Sequence, residues 1–264
     1  MKISVIVPYH NAAPWLVRCL NSLTDNEGDF EFILVNDRSD DAGPNIVRQY
    51  AAIDERFVVL DNERGPGVSG ARNTGLDICS GDWVTFLDAD DKFTDHAFDT
   101  FSRAINANKH AAVIQFNHLR HYKAINKTVL KYTNEAGVYT VNELENMKVW
   151  FGVWNKLFRD EFVKDIRFDE RTQYGEDGLF VLECLGRGAS IYHAEKQSVV
   201  VVHNFENPNS LSRIKKADDL IKQVRLYEEF LFRQERPEVR IAVCKELSRL
   251  WASETFALCI GGKH

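Results

Sequence analysis

Three aspartates close together are the first feature of this sequence that could do chemistry. The stretch VTFLDADDKF, residues 84–93, runs from a short apolar segment straight into Asp88, Asp90 and Asp91. Carboxylates grouped so closely repel one another, and a fold that keeps them together usually offsets the repulsion with a cation. Hard divalent ions such as Mg²⁺ and Mn²⁺ prefer oxygen ligands, and Mg²⁺ is typically held by one or two carboxylates together with substrate phosphates. The spacing therefore indicates a divalent cation that holds a phosphorylated ligand.

These aspartates also have an ordinary explanation, because Asp favours turns and negative charge favours a helix N-terminus. Two further polar clusters decide between the interpretations: PYHN at residues 8–11 and NDRS at residues 36–39 each follow a strand-like segment. In open α/β sheets, ligands bind beyond the carboxyl ends of the strands. Because the strands are expected to be parallel, all three clusters would lie along one edge, which favours a shared binding site.

Residues 65–70, GPGVSG, match the G-x-G-x-x-G pattern of dinucleotide-binding folds. That fingerprint belongs to the first strand–helix turn, whereas here it follows the third predicted strand, so we do not expect NAD or FAD binding. Glycines nevertheless allow close backbone approach, and a helix N-terminus favours an anion. Arg72 and Asn73, one turn into the helix, could add charge and hydrogen bonds to a diphosphate. A tight turn that feeds a helix is the alternative that the glycines leave open.

Strand-like and helix-like segments alternate through the first 116 residues and would position these groups. Apolar or β-branched runs predict strands at residues 3–7, 30–35, 57–60, 83–87 and 111–116, and helical spacing predicts helices at 12–24, 44–52, 67–79 and 94–107. This alternation is typical of an α/β fold with a doubly wound, mostly parallel sheet and helices on both faces.

The second half is less regular. The pattern of residues 117–150 predicts a polar hairpin followed by a short helix. Residues 151–185 contain short aromatic runs and are expected to form loops and a helix, and residues 198–202 are expected to form a strand. Residues 215–260 have amphipathic helical spacing that is interrupted near Pro237. Three interpretations of this last segment stay open: packing on the core, self-association into a homo-oligomer, and docking on a membrane surface.

The composition excludes some classes of protein. The chain has 264 residues, is 44% hydrophobic and can bury a full core as one large domain with or without a helical appendage. Its net charge of −6 argues against a general nucleic-acid binder. The five cysteines form no CxxC pair, which predicts reduced thiols in a cytoplasmic protein. We expect neither a signal peptide nor a membrane span, since Pro8 ends the first apolar run and no run approaches a spanning length.

Taken together, the motifs resemble family 2 of the glycosyltransferases, which has the GT-A fold. Their order and spacing match the family in SVIVPYHN (4–11), ILVNDRSDD (33–41), GVSGARNTGLDICSGDWVTFLDADD (67–91), VWNKLF (153–158), YGEDGLF (174–180) and NPNSLSR (207–213). The resemblance implies a GT-A domain over residues 1–213, with a nucleotide-sugar-binding half at 1–116 and an acceptor half at 117–213. Residues 214–264 would form a C-terminal helical extension.

The resemblance implies inverting, metal-dependent transfer of a sugar from a nucleotide-diphosphate donor, usually a UDP-sugar, to an acceptor hydroxyl. The acceptor would be a glycan or a lipid-linked glycan in the synthesis of cell-surface polysaccharide. The implied location is the cytoplasm, with peripheral contact at the inner membrane face as an open interpretation.

On this resemblance, Pro8, His10 and Asp37 hold the nucleotide, and Asp37 reaches the uracil ring. The family usually has Tyr or Phe at the position of His10, although an imidazole can also stack on a base. Arg72 would lie near the diphosphate.

The resemblance also gives roles to the aspartates. Asp90 would be the main ligand of Mn²⁺ or Mg²⁺, Asp88 would contact the ribose or the metal, and Asp91 would face the sugar. The acceptor hydroxyl needs a base, which the resemblance places at Asp177, with Glu176 positioning the loop or the acceptor. Negative charge at a helix N-terminus is the alternative explanation for this last pair.

Other residues have two interpretations each. Trp154 stacks on a sugar ring or belongs to the core, and Lys156 is a solvated charge or approaches phosphate. His203 contacts the metal or diphosphate, or makes a local hydrogen bond. Ser210 and Arg213 are candidate diphosphate contacts.

Two competing functions remain at this stage. A catalytically degenerate sugar-nucleotide-binding protein would share the fold, but the intact Asp37, Asp88, Asp90 and Asp177 argue against it. A nucleotidyltransferase also uses a metal and an α/β sheet, but it normally has a basic glycine-rich signature near the first strand, where this chain has PYHNAAPW.

Overall fold

The computed structural model describes residues 1–24, 26, 28–122, 126–131, 135–140, 151–204 and 217–251. The strands are β1 (Ile3–Tyr9), β2 (Phe30–Asn36), β3 (Phe57–Asp61), β4 (Trp83–Phe86), β5 (Lys92–Phe93), β6 (Val113–Gln115), β7 (Asn117–Tyr122), β8 (Lys127–Lys131), β9 (Gly137–Tyr139), β10 (Lys156–Arg159), β11 (Ile191–His193) and β12 (Val199–Asn204). The helices are α1 (Ala13–Thr24), α2 (Gly43–Ala51), α3 (Val68–Ile78), α4 (Ala97–Ala107), α5 (Asp160–Val163), α6 (Glu176–Gly186), α7 (Ala217–Arg233) and α8 (Pro237–Trp251).

A large mixed sheet forms the centre of the molecule, in the strand order β3-β2-β1-β4-β10-β6-β11-β9. The strands β3, β2, β1 and β4 are parallel neighbours, as the alternation of segments predicts. β10 runs antiparallel between β4 and β6, an insertion that the sequence did not predict. The predicted α/β fold with a doubly wound, mostly parallel sheet is confirmed.

A smaller sheet, in the order β5-β12-β7-β8, lies beside the aspartate cluster. β5 follows the cluster directly and pairs with β12, and Thr94 N donates to Val200 O at 2.9 Å. Because this pairing continues to Thr94, α4 begins at Ala97 rather than at the predicted residue 94. β7 and β8 form the predicted hairpin. Residues 141–150 of the predicted short helix lie outside the described residues.

The core lies on both faces of the large sheet, because successive residues of a strand point to opposite faces. Val5 and Val7 belong to the apolar cluster that includes Leu16 of α1, whereas Ile6 belongs to the cluster on the other face. α3 approaches β1 so closely there that a Cβ at Gly75 would lie 2.6 Å from Ile6 Cγ2. Glycine at this position therefore lets α3 lie directly on the sheet, with its N-terminal end at the strand ends.

The C-terminal helices pack on the same core. Tyr227 and Phe230 of α7 and Val239 and Val243 of α8 are buried in the cluster that includes α6. The interruption predicted near Pro237 is confirmed, since α7 ends at Arg233 and α8 begins at Pro237. Of the interpretations left open for this segment, packing on the core is the one that the described helices show. None of the described helices has both the length and the apolar character that a membrane crossing requires.

Candidate active site

The polar clusters that follow β1, β2 and β4 lie along one edge of the large sheet. Tyr9 of β1 is in register with Asn36 of β2, and Leu87 N donates to Ile6 O at 3.0 Å, so the three strands end side by side. Pro8 is buried within β1, and His10 is the first exposed residue after it. The chain thus brings the predicted nucleotide-binding residues and the aspartate cluster to one edge.

Asp37 fixes the glycine turn that precedes α3. Its Oδ2 accepts a hydrogen bond from Gly67 N at 2.7 Å, and its Oδ1 accepts one from Asn62 Nδ2 at 2.7 Å. Gly67 has φ of +115°, a conformation that favours glycine. The His10 Nδ1 lies 2.7 Å from the Asp37 carbonyl oxygen, so the exposed imidazole is anchored beside the same turn. The GPGVSG stretch is therefore the predicted turn into a helix, held by the residue expected to contact the base.

Arg72 joins the aspartate cluster to the pair at the start of α6. Its Nη2 lies 3.0 Å from Asp88 Oδ1, and its Nη1 lies 3.2 Å from Glu176 Oε1 and 2.6 Å from Asp177 Oδ1. Its guanidinium also lies 5.2 Å from the centroid of the Phe168 ring. These contacts differ from the diphosphate contact expected for Arg72. Its side chain is only 3% exposed, and both of its terminal nitrogens bind carboxylates.

Burial and charge oppose each other in this cluster. Burial raises the pKa of Asp177 to about 7, the Arg72 charge opposes the rise, and the carboxylates of Glu176 and Asp88 add to it. Burial alone would lower the pKa of Arg72, but the three carboxylates outweigh it and raise that pKa further. Arg72 is therefore charged at every physiological pH, whereas Asp177 changes protonation near neutrality, as a general base requires.

The segment that carries Asp177 is fastened to α3. Asn73 Nδ2 donates to Phe168 O at 2.9 Å, and Asn73 Oδ1 accepts from Phe168 N at 2.8 Å. Asn73 is 1% exposed, and its side chain contacts the backbone of Phe168 instead of the diphosphate that was expected. Gly175, with φ of +76°, precedes the first turn of α6, which contains Glu176 and Asp177. Glu176 and Asp177 thus lie at a helix N-terminus, where negative charge is favourable, and both also contact Arg72.

Asp91 and Trp154 lie in the interior rather than at the surface. Asp91 is fully buried, and its Oδ2 lies 2.8 Å from His203 Nδ1. The His203 ring stacks on the Trp154 ring at 5.0 Å and 6°, and His118 meets the indole edge-on at 4.7 Å. Burial lowers the pKa of His203, but the hydrogen bond and charge of Asp91 outweigh it and raise that pKa.

This arrangement differs from the expected sugar contacts. Asp91 offers no exposed surface, and Trp154 is 6% exposed with one face covered by the imidazole. The interpretations that the structure shows are the core position for Trp154 and the local hydrogen bond for His203. Asp91 hydrogen bonds to His203, and the His203 ring covers one face of Trp154, so the three side chains form one packed group.

The partly exposed aspartates suit a cation that the donor completes. Within the described ranges, no three His, Cys, Asp or Glu side chains lie together closely enough to hold a metal ion. Asp88 is 28% exposed and Asp90 is half-buried, so carboxylate oxygens are present at the site edge. One or two carboxylates with substrate phosphates are the usual ligands of Mg²⁺, so the donor set fits. The His203 Nδ1 faces Asp91, so a bond from His203 to the ion would have to come from Nε2.

Lys156 is buried rather than solvated. It is 1% exposed, and its Nζ donates to Gly152 O at 2.6 Å and to Asn155 Oδ1 at 3.1 Å. Burial lowers the pKa of Lys156 to about 7. The solvated-charge interpretation is therefore wrong: Lys156 holds the 152–155 loop, from which Val153 N faces Asp177 Oδ2 at 3.4 Å. Ser210 and Arg213 lie outside the described residues.

Comparison with known proteins gives the family. A sequence profile described as "Glycosyl transferase family 2" matches residues 4–162, more than half of the chain. The chain is 31% identical over 193 residues to the glycosyltransferase GlyA of Streptococcus pneumoniae, which aligns 67% of this chain with 27% of that protein. It is 30% identical over 226 residues to the uncharacterized glycosyltransferase EpsJ of Bacillus subtilis, aligning 80% of this chain with 63% of that one. This chain thus spans less than two thirds of either relative.

A third relative has an acceptor in its name. The chain is 28% identical over 221 residues to the poly(ribitol-phosphate) beta-N-acetylglucosaminyltransferase TarP of Staphylococcus aureus, which aligns 80% of this chain with 66% of that protein.

Solved structures share the fold. The S. aureus TarS 1–349 complex with UDP-GlcNAc superposes with a TM-score of 0.81 at 22% identity, covering 98% of this chain and 75% of that one. The mannosyltransferase PcManGT from Pyrobaculum calidifontis, in complex with GDP-Man and Mn²⁺, superposes with a TM-score of 0.67 at 19% identity, covering 98% and 74%. With the family profile matching more than half of its length, the chain belongs to glycosyltransferase family 2, and it has the GT-A fold.

Proposed function

We propose that this glycosyltransferase transfers a sugar from a UDP-sugar to a hydroxyl of a glycan or lipid-linked glycan, with inversion and with a divalent metal ion. Two observations on related proteins support the donor and acceptor classes. TarS binds UDP-GlcNAc, and TarP is named for a polymeric glycan acceptor. The pathway would be the synthesis of a cell-surface polysaccharide. Peripheral contact with the inner membrane face and a homo-oligomer through the C-terminal helices stay predictions.

One observation carries the proposal: a single guanidinium contacts both ends of the required chemistry. Asp88, in the cluster expected to face the donor, and Asp177, the expected base, each hydrogen bond to Arg72, at 3.0 and 2.6 Å. Two carboxylates that share one guanidinium lie within a few ångströms of each other. A sugar held at Asp88 and an acceptor hydroxyl held at Asp177 would therefore be in reach of each other.

The residues of this chain divide the work as follows. His10 and Asp37 hold the nucleotide at the sheet edge, and the N-terminus of α3 faces the phosphates with its favourable dipole. Mn²⁺ or Mg²⁺, held by Asp90 and Asp88, would supply a Lewis acid for the charge that develops on the leaving diphosphate. His203, which Asp91 orients, is the predicted third contact of the metal ion or the diphosphate.

Asp177 supplies the base. It takes the proton of the acceptor hydroxyl while the acceptor oxygen bonds to the anomeric carbon, and the bond from that carbon to the diphosphate oxygen breaks. The electron pair of the broken carbon–oxygen bond leaves with the nucleoside diphosphate. Because the acceptor attacks the face opposite the leaving group, the product has inverted stereochemistry. Release of a nucleoside diphosphate also distinguishes this reaction from nucleotidyl transfer, which forms or consumes diphosphate.

A panel of nucleotide sugars tests the proposal by thermal stabilisation, with Mn²⁺ and with a chelator. A ligand that binds the native state raises the melting temperature, and a ligand at about 100 times its Kd adds about 2.7 kcal/mol. For a chain of this size that corresponds to a shift of roughly 5–10 °C. We expect such a shift with a UDP-sugar and Mn²⁺, and a smaller one with the chelator.

Two variants sharpen the test. Asp90→Asn should lose the part of the shift that depends on Mn²⁺, whereas Asp95→Asn, an exposed aspartate outside the cluster, should keep it. Equal shifts with Mn²⁺ and with chelator would overturn the metal assignment. A shift with a nucleotide sugar but no release of nucleoside diphosphate would favour the catalytically degenerate binding protein, and an absence of any shift would overturn the proposed donor class.

A further inference from the structure

Arg72 is a buried cation that contacts both sides of the proposed reaction but has no step of its own in it. It lies on α3, one turn after the glycine turn, and its side chain is 3% exposed above the Phe168 ring. The carboxylates around it come from two distant parts of the chain: Asp88 follows β4, and Glu176 and Asp177 begin α6. One guanidinium therefore joins the nucleotide-binding half to the segment that carries the base.

The geometry argues against a direct role with the diphosphate. Both terminal nitrogens of Arg72 hydrogen bond to carboxylates, at 3.0 Å to Asp88 and 2.6 Å to Asp177. A phosphate that bound a terminal nitrogen in place of Asp88 or Asp177 would leave that carboxylate without its partner, and the remaining nitrogen of the guanidinium, Nε, is buried. Breaking a buried ion pair in this way is strongly unfavourable.

We propose that Arg72 is the residue that positions the base: its Nη1 fixes Asp177, and its Nη2 fixes the distance from that base to the donor side through Asp88. The second oxygen of Asp177 faces Val153 N at 3.4 Å, so the carboxylate is held from two directions. This inference rests on the proposed role of Asp177 as the base. Arg72 acts through Asp177 and touches neither the sugar nor the acceptor.

Charge supports the geometry. The groups that act on Asp177 from the elements around it are Arg72 of α3, Glu176 of α6, Asp88 after β4, Lys156 of β10 and Tyr227 of α7. The Arg72 charge lowers the pKa of Asp177, and the two carboxylates raise it. Without Arg72, the base would be protonated over a wider pH range.

Three variants test the role: Arg72→Met removes the charge, Arg72→Lys keeps the charge but not the two-ended geometry, and Arg171→Met is the control. Arg171 is 63% exposed and belongs to the same segment as the base. We expect Arg72→Met to lower kcat by about 100-fold at neutral pH, the scale of a general-base contribution, and to move the acidic limb of the kcat profile to higher pH. Arg72→Lys should lower kcat by roughly tenfold and leave that limb near its original pH.

Binding of UDP with Mn²⁺, measured by calorimetry, separates this role from a diphosphate contact. We expect the affinity of both Arg72 variants to stay within about twofold of the unmodified protein, since a positioning residue changes kcat rather than donor binding. A large loss of UDP affinity would show that Arg72 binds phosphate. A pH profile of Arg72→Met that superimposes on the original would also overturn the proposal.

Two measurements keep the outcomes distinct. If Arg72→Met does not fold, as judged by circular dichroism, Arg72→Lys still decides between lower kcat and lower UDP affinity. Asp177→Asn, measured alongside, tests the base itself. Full turnover by that variant would sink the proposed base, whereas loss of its turnover with an unchanged Arg72→Met profile would sink only the role of Arg72.

Discussion

At the scale of single residues, Asp177 shows how surroundings define a role. Its carboxyl lies against Arg72 at 2.6 Å, and burial raises its pKa to about 7. An ordinary solvated aspartate would be fully ionised at neutral pH but too weakly basic to accept a proton readily. The surroundings thus match the proposed base to neutral pH, which neither the sequence position nor the residue type does alone.

This environment predicts how Asp177→Asn and pH affect transfer. The proposed base must be ionised, so kcat of the unmodified protein should rise with pH up to about 7 and fall about tenfold for each unit below it. Asp177→Asn should lose transfer by at least about 100-fold and keep UDP binding. Steady-state kinetics across pH, beside donor titration, measures both effects.

The control for this prediction is Asp165→Asn, which changes an exposed aspartate in the same half of the chain. It should transfer at the original rate. A flat profile between pH 5 and pH 8 would contradict the raised pKa.

The sequence predicted which residues gather at the site but not what each one touches. Motif order brought together Asp37, Asp88 and Asp177, and the structure places them at one edge. The sequence did not predict that Arg72 contacts Asp177, because the two residues are 105 positions apart and motif spacing carries no information on such a contact. The sugar contacts expected for Asp91 and Trp154 required that their side chains be exposed. His203, which lies on β12 and is distant in sequence, covers both side chains.

At the scale of elements, α3 organises the site. Its N-terminal turn is held by Asp37, its Arg72 contacts Asp177, and its Asn73 pairs with the backbone of Phe168. The helix and the four parallel strands were predictable, because local periodicity specifies them. The insertion of β10 between β4 and β6 was not, since a strand of four residues has little periodicity and its pairing is long-range.

The Asn73 contact predicts a linked loss of stability and turnover. Asn73→Ala would leave the buried N–H and C=O of Phe168 without partners, which costs about 1–3 kcal/mol for each group. We expect a lower urea midpoint, and a larger fall in kcat than in UDP affinity, because the loosened segment carries Asp177. Asn45→Ala, at an exposed position of α2, is the matched control and should stay within about 0.5 kcal/mol. Equal stability of the two variants would show that the Asn73 contact does not fasten the segment.

At the scale of the whole molecule, the C-terminal helices pack against the helix that begins with Glu176 and Asp177. α6, which has Asp177 in its first turn, packs in the same apolar cluster as Tyr227 and Phe230 of α7. A Cβ at Gly178 of α6 would lie 1.9 Å from the Tyr227 hydroxyl oxygen, so the two helices are in contact at the residue that follows Asp177. The helices α7 and α8 therefore support the helix that carries Asp177, the proposed base.

Two phenylalanines of α7 test this support. Phe230 is 1% exposed, whereas Phe232 is 87% exposed. Phe230→Ala should lower the free energy of unfolding by about 3–5 kcal/mol, because it removes a buried ring and leaves a cavity. Phe232→Ala should change it by less than about 0.5 kcal/mol, since its ring is in water in both states. Urea unfolding of the two variants measures the difference, and a separate early transition that alone responds to Phe230→Ala would mean that α7 and α8 unfold as an appendage. A single transition that shifts as a whole would show that the C-terminal helices and the catalytic core unfold together.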